Sequence, residues 1–183
     1  VAVYFFLSRR LIPAAVFFAL SISVKLIPVI LIFIFYRKLK LKRWLLFSFI
    51  TGFVTVLLLL PVFLMNGLNG FFQSINLYFQ TFEFNAGIYY VLRFLGFYLR
   101  GHNMIAYIGP ALALTSMILI VLISFIRKNE NSRILFHSMV ISYSIFYLFS
   151  TTVHPWYITP IVGLSVIGNL RYPVLWSYVI FFS

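Results

Sequence analysis

The sequence contains no cysteine and no aspartate, and its only carboxylates are Glu83 and Glu130. Without thiols there are no disulfides and no thiolate ligands, and three scattered His with two Glu have no metal-ligand spacing. Neither a metal nor a cofactor is expected. Charge of either sign is scarce, at 9% of the 183 residues, against about a quarter in an ordinary soluble domain. What fills the chain instead is apolar: 63% of residues are hydrophobic and mean hydropathy is +1.08. The expected fold is all-α, a polytopic transmembrane helix bundle in which residues 1–183 form one domain. A net charge of +12 suits nucleic acid, but the cations stand in short clusters between apolar spans and form no solvated basic face. No nucleic-acid partner is expected.

Both ends read as cut. Val1 to Leu7 resembles the tail of a span, and Tyr172 to Ser183 is only twelve residues, about 18 Å of helix. With neither an initiator Met nor a signal-peptide pattern, the chain is expected to be the C-terminal part of a longer polytopic protein.

Trp44 to Leu64 gives 21 uncharged residues and Met104 to Ile126 gives 23, each enough for the roughly 20 that cross the hydrocarbon. Ile134 to Thr152 supplies a third span and Trp156 to Leu170 a short fourth. With the N-terminal part, about five to seven membrane segments are expected, some short or re-entrant. Arg37 to Arg43 carries five cations and Arg127 to Arg133 three against one Glu; the positive-inside rule makes both loops cytoplasmic. The long segment 65–103 and the turn at His154-Pro155 then face outside.

Lys25 interrupts the otherwise uncharged stretch from Leu11 to Tyr36, and Pro28 follows it. An ammonium in hydrocarbon costs roughly 2.5 to 3.5 kcal/mol on insertion scales and needs water, a partner or an anion. A single straight crossing here puts Arg9 and Arg10 outside. A re-entrant pair of half-helices breaking near Lys25 and Pro28 returns both basic clusters to the cytoplasm and is the preferred reading. Irregular backbone at that depth must line an enclosed or wet cavity.

In the outer segment, large apolar residues fall at 71, 72, 75, 78, 79 and 82, the one-faced spacing of a helix lying in the interface. Asn85 is placed to cap a second helix from about Ala86 to Arg100. On that helix Tyr89, Arg93, Gly96 and Arg100 form one stripe. An outward Arg pair suits an anion such as a lipid phosphate; snorkelling to headgroups explains it equally.

Three motifs stand in order: Ser23-Val24-Lys25-Leu26-Ile27-Pro28-Val29, then Phe84-Asn85-Ala86-Gly87-Ile88-Tyr89-Tyr90, then His154-Pro155-Trp156-Tyr157. Together, over roughly 9–164, they resemble the C-terminal part of GT-C glycosyltransferases that use polyprenyl-phosphate sugars, among them the mannosyltransferases related to the first of glycosylphosphatidylinositol assembly and bacterial counterparts. Leu26-Ile27 stands in place of Ile-Tyr before the proline, Phe84 in place of His, and Ala86-Gly87 in place of Phe-Ser. The family's catalytic Asp, in its first outer loop, has no counterpart in a chain without Asp, and its loop is expected upstream of Val1.

The resemblance implies inverting transfer of a hexose, with mannose the sugar it points to, from a polyprenyl-phosphate donor to a lipid or glycan acceptor hydroxyl outside the cytoplasm. A multi-pass protein of the bacterial inner membrane, or of the endoplasmic reticulum, is implied. Lys25, Arg93 and Arg100 are the candidate phosphate ligands. Lys25 pairing with a helix C-terminal carbonyl is the plainer alternative. Glu83 is the only outer carboxylate and so the only base candidate within the chain, though it can simply pair with Arg93 or Arg100. His154 contacts the acceptor or satisfies a helix start; Trp156 and Tyr157 offer a surface for sugar or lipid, or are interfacial anchors. Asn85 is a cap and then a ligand contact. A transporter or flippase of an anionic substrate, a lipid-linked glycan polymerase or ligase, and a noncatalytic scaffold are the rival classes.

Span parity generates the first test. A cysteine at Asn76 is labelled by an impermeant maleimide added outside and one at Lys40 is not; the reverse pattern inverts the topology.

Overall fold

The computed structural model describes residues 1–182, without the side chains at 66, 67, 78 and 79. Among the described residues the chain is helical with no strands. Its helices are α1 (Ala2–Leu7), α2 (Leu11–Val24), a 3-10 segment (Ile27–Phe35), α3 (Tyr36–Gln80), α4 (Ile88–Arg100), α5 (Ile105–Ile126), α6 (Ser132–Phe149), a 3-10 turn (Pro155–Ile158), α7 (Thr159–Gly168) and α8 (Tyr172–Val179). Three stretches are long and apolar enough to cross a membrane: Ile27–Met65, Ile105–Ile126 and Ser132–Phe149.

The first of these is not one rod. Trp44 donates its Nε1–H to the Ile32 carbonyl at 2.8 Å, and the Phe35 and Phe47 rings lie 5.3 Å apart. Twelve residues of straight helix span about 18 Å, so the chain must double back between them. It turns at Lys40, whose φ of 61° is left-handed and costs a non-glycine residue roughly 1 to 3 kcal/mol. Only the limb after Lys40 has the length of a crossing.

A second reversal lies at Lys25. Phe18 and Phe35 have ring centroids 5.4 Å apart, whereas a straight run through the intervening residues separates them by about 30 Å. Arg9 and Lys38 with Arg43 line one cavity, so both basic clusters sit at one end of the bundle. This is the hairpin geometry of the re-entrant reading, with Lys25 at the tip.

Thr51 Oγ1 donates to the Ala15 carbonyl at 3.4 Å, setting α2 and α3 level. From that level a straight α3 carries Ser74 about 20 Å beyond Lys25, yet Ser74 and Lys25 line one cavity. The helix therefore bends over the tip. Pro61 lies inside it and removes a backbone donor, the usual origin of such a bend. Residues 71–80 thus continue α3; they do not begin a separate helix after a break at Leu64. The expected apolar face there includes 78 and 79, whose side chains lie outside the described residues.

α5 returns to the basic end, where Arg37 Nε donates to the Phe125 carbonyl at 3.0 Å. A cation on the last carbonyls satisfies orphan acceptors and opposes the helix dipole. α6 then runs back through the middle of the bundle, with buried residues all along it. α7 descends beside it until His137 Nε2 meets the Gly168 carbonyl at 2.7 Å. There Asn169, left-handed at φ 56°, stops the helix, and α8 turns back toward the opposite end. Tyr172 reaches Ser144 of α6 at 2.8 Å, and the Ile180 carbonyl accepts from Asn85 Nδ2 at 3.2 Å. The short apolar stretch Pro155–Gly168, expected as a fourth span, is therefore one limb of a second hairpin that starts from the end opposite the first.

Because the chain has no native cysteine, paired cysteines report the first hairpin cleanly. A Phe18→Cys/Phe35→Cys variant crosslinks with a short bis-maleimide in membranes; absence of crosslinking, with each single variant reactive, contradicts the reversal at Lys25.

Candidate functional site at the hairpin tip

Lys25 follows the last turn of α2 in extended backbone, φ −154° and ψ 121°. Ser21 and Ser23 donate their hydroxyls to the Phe18 and Ala19 carbonyls at 2.7 and 2.9 Å, so both side chains are partnered within their own helix. Pro28 opens the 3-10 segment, where its missing donor costs nothing. The tip thus leaves α2 with few loose backbone groups and presents one ammonium.

That ammonium lies 3.2 Å from the centroid of the Tyr157 ring, a cation–π contact. Among the described residues no carboxylate or hydrogen-bond acceptor reaches it. Lys25 lines two cavities at once. One, of about 420 Å³, is walled by Leu26, Ile30, Phe71, Met117, Phe146 and Tyr157 among others, and the other, of about 390 Å³, by Leu20, Pro28, Tyr143, Tyr147 and Pro160 among others. Their walls are almost wholly apolar. The Tyr147 hydroxyl is buried with no hydrogen-bond partner in the protein, a cost of roughly 1 to 3 kcal/mol unless something else bonds it.

Tyr157 belongs to a ring cluster. His154 stacks on Trp156 at 4.5 Å, meets Tyr157 edge-on at 5.2 Å and lies 5.1 Å from Phe84. Backbone bonds set this register: Phe84 N–H donates to the Thr151 carbonyl at 3.0 Å, and Val153 N–H to the Phe84 carbonyl at 2.7 Å. The three motifs singled out in the sequence, around Lys25, Phe84 and His154, therefore meet in one continuous chain of contacts. Trp156 is largely exposed at 64% and forms the outer lip of the cluster.

Asn85 is not the cap of α4. The helix starts at Ile88 after Gly87, and Asn85 sits two residues earlier with φ 50°, its side-chain amide on the Ile180 carbonyl. Asn tolerates left-handed backbone in a turn, and here a tertiary acceptor takes its donor.

The Arg stripe divides. Tyr89 and Gly96 face inward and are buried; Gly96 admits Met104 and Ile108, whose side chains come within 4 Å of where a Cβ would stand. Arg93 forms an ion pair with Glu83 at 2.9 Å. Tyr89 hydrogen-bonds Glu83 and lies 3.0 Å from Asn103 Oδ1, while Asn103 Nδ2 donates to Glu83 at 3.3 Å. Asn103 Oδ1 also accepts from Ile105 N–H at 3.1 Å, giving the first free donor of α5 a partner from just outside its N-cap, Met104. Glu83 is thus committed to three partners. Arg100 stands exposed in the last turn of α4, ended by left-handed Gly101. Neither Arg lines the cavities at Lys25. Sequence reasoning missed Tyr147, whose orphan hydroxyl is a matter of packing, and Asn103, whose position two residues before α5 was a legible capping signal.

No family model, curated protein or solved structure matches the chain.

Burial and the Glu83 carboxylate push the Tyr89 phenol up to about 12. Its neutral form is favoured by folding, so its contribution is fully present below pH 10 and is lost as pH rises toward 12. Tyr89→Phe lowers stability by about 2 kcal/mol at pH 8. The gap between the melting curves of wild type and variant narrows between pH 10 and 12.

Proposed function

We propose that the chain is part of a GT-C-type glycosyltransferase that moves a hexose, mannose by its resemblance, from a polyprenyl phosphate to an acceptor hydroxyl on the non-cytoplasmic face. One observation carries this reading: the three ordered motifs converge on an unpaired ammonium between two apolar cavities. Apolar walls suit a polyprenyl chain, and a single fixed cation suits the phosphate that joins it to the sugar. In this reading the basic end faces the cytoplasm and the Lys25 tip opens toward the other face.

Transfer breaks the bond between the anomeric carbon and the phosphate oxygen, so negative charge grows on the departing polyprenyl phosphate. Lys25 stabilises that charge without water between them, where its electrostatic effect is large. Tyr147 stands on the wall of the second cavity that Lys25 lines, and the ledge of His154, Trp156 and Tyr157 presents rings and an imidazole to the sugar or acceptor. The acceptor proton must pass to a base. Glu83, held by Arg93, Tyr89 and Asn103, is better explained as the clasp of α4 on α5 than as that base. Arg93 then acts on the site only through Glu83.

A transporter or flippase of an anionic lipid is the second reading, favoured by two hairpins that enter from opposite ends, a device of alternating-access proteins.

In membrane vesicles carrying the full-length protein, Lys25→Met lowers transfer from polyprenyl-phosphate mannose by about 100-fold or more while insertion is unchanged. Wild-type transfer by that variant removes Lys25 from the mechanism. Transbilayer movement of the lipid without transfer favours the second reading.

A further inference from the structure

The opposite end of the first hairpin holds a cavity that the sugar-transfer reading does not use. It measures about 480 Å³ and is lined by Phe6, Arg9, Leu11, Lys38, Leu39 and Arg43. Three cations from two turns, far apart in sequence, meet there. Arg9 comes from the α1–α2 turn; Lys38 and Arg43 flank the reversal at Lys40. No ion pair joins any of them to a carboxylate among the described residues. Of the two acidic residues in the chain, Glu83 pairs with Arg93 near the other end.

Three like charges around one recess repel one another, and among the described residues no ion pair offsets them; Glu130, the other carboxylate, lies in the loop after α5 and does not line the cavity. The two turns that gather them each hold a non-glycine residue at left-handed φ, 59° at Arg9 and 61° at Lys40, an additional cost that the fold carries. Positive-inside bias alone explains cations near this surface, but it places them anywhere along the loops and gives no reason for a shared recess. The apolar side is equally specific: Phe6, Leu11 and Leu39 form a wall beside the cations. A phosphate flanked by glycerol and the head of an acyl chain meets both halves of that lining, as in basic pockets between membrane helices.

We propose that Arg9, Lys38 and Arg43 form a binding site for a phosphate-bearing anion at the basic end of the bundle, with the headgroup of an anionic phospholipid as its fullest match. The two Arg supply forked donors and Lys38 a point charge. Occupancy neutralises the cluster and ties the α1–α2 turn to the reversal at Lys40, the two points that fix the base of the hairpin. The site stands apart from the sugar-transfer reading, and neither falls with the other.

The test uses the full chain in phosphatidylcholine nanodiscs doped with phosphatidylglycerol, reading lipid retained after transfer to neutral detergent by native mass spectrometry, with inorganic phosphate as a second probe in undoped discs. An Arg9→Gln/Lys38→Gln/Arg43→Gln variant is compared with Arg10→Gln/Lys40→Gln/Lys42→Gln, which removes equal charge from the same two turns at positions that do not line the cavity. Wild type retains phosphatidylglycerol; the cavity variant binds about 100-fold more weakly and the loop variant stays within severalfold of wild type. Lys38→Met, which keeps the aliphatic stem, gives about a fivefold loss and guards against misfolding of the triple variant. A melting-temperature rise with inorganic phosphate identifies a site open to free phosphate, and its absence beside lipid retention identifies a lipid site. Equal losses in the two triple variants, or no binding of either probe by wild type, overturn the proposal.

Discussion

Four phenylalanine rings hold the first hairpin closed. Phe6, Phe18, Phe35 and Phe47, from four different segments, are all buried, with ring centroids between 4.5 and 6.3 Å apart in five pairings. In hydrocarbon, apolar surface gains little by leaving lipid, so helix association rests on close packing. Offset and edge-on ring pairs supply it at about 0.5 to 1.5 kcal/mol each beyond area burial. This cluster is what turns a long apolar run into two limbs. From it follow the placement of Lys25 at a tip, the meeting of both basic clusters at the base, and the freedom of the later limb of α3 to cross alone.

The opposite end is held by different physics. There the backbone of Phe84 is bonded to the strand-like run before His154, and Glu83 gathers Arg93, Tyr89 and Asn103 into one polar clasp. Directional bonds replace packing because this segment contains the residues with donors and acceptors to offer. The clasp fixes α4 against α5, while the backbone pairing fixes His154, Trp156 and Tyr157 above Lys25. The two halves share one apolar core, and Lys25 over the Tyr157 ring is the cationic contact between them. A cation–π contact is worth roughly 0.5 to 2 kcal/mol, so an anion brought to the ammonium would compete with it.

Much of this organisation was legible before the structure. The break at Lys25 and Pro28 was marked by a charge and a proline in an apolar run, and the grouping of both basic clusters followed from the sign of their charge. The span Ile105–Ile126 differs by one residue from the uncharged run that announced it. Other features were not legible. The reversal at Lys40 lies among five cations with no Gly or Pro, and nothing local distinguishes it from a continuing helix. Asn85 has the chemistry of a cap, and only the arrival of the Ile180 carbonyl shows that its donor is spent elsewhere.

Charge and apolar run length, which each residue carries by itself, determined that the chain is a helical bundle with spans long enough to cross a membrane, with most cations in clusters between apolar runs and one set within a run. Which cations converge was decided only by tertiary structure. Lys25 found Tyr157, Arg93 found Glu83, and Arg9 found Lys38 and Arg43 across turns whose direction depends on packing between distant segments. A periodicity tells which way a side chain leaves its own helix; it does not tell what has been folded up to meet it.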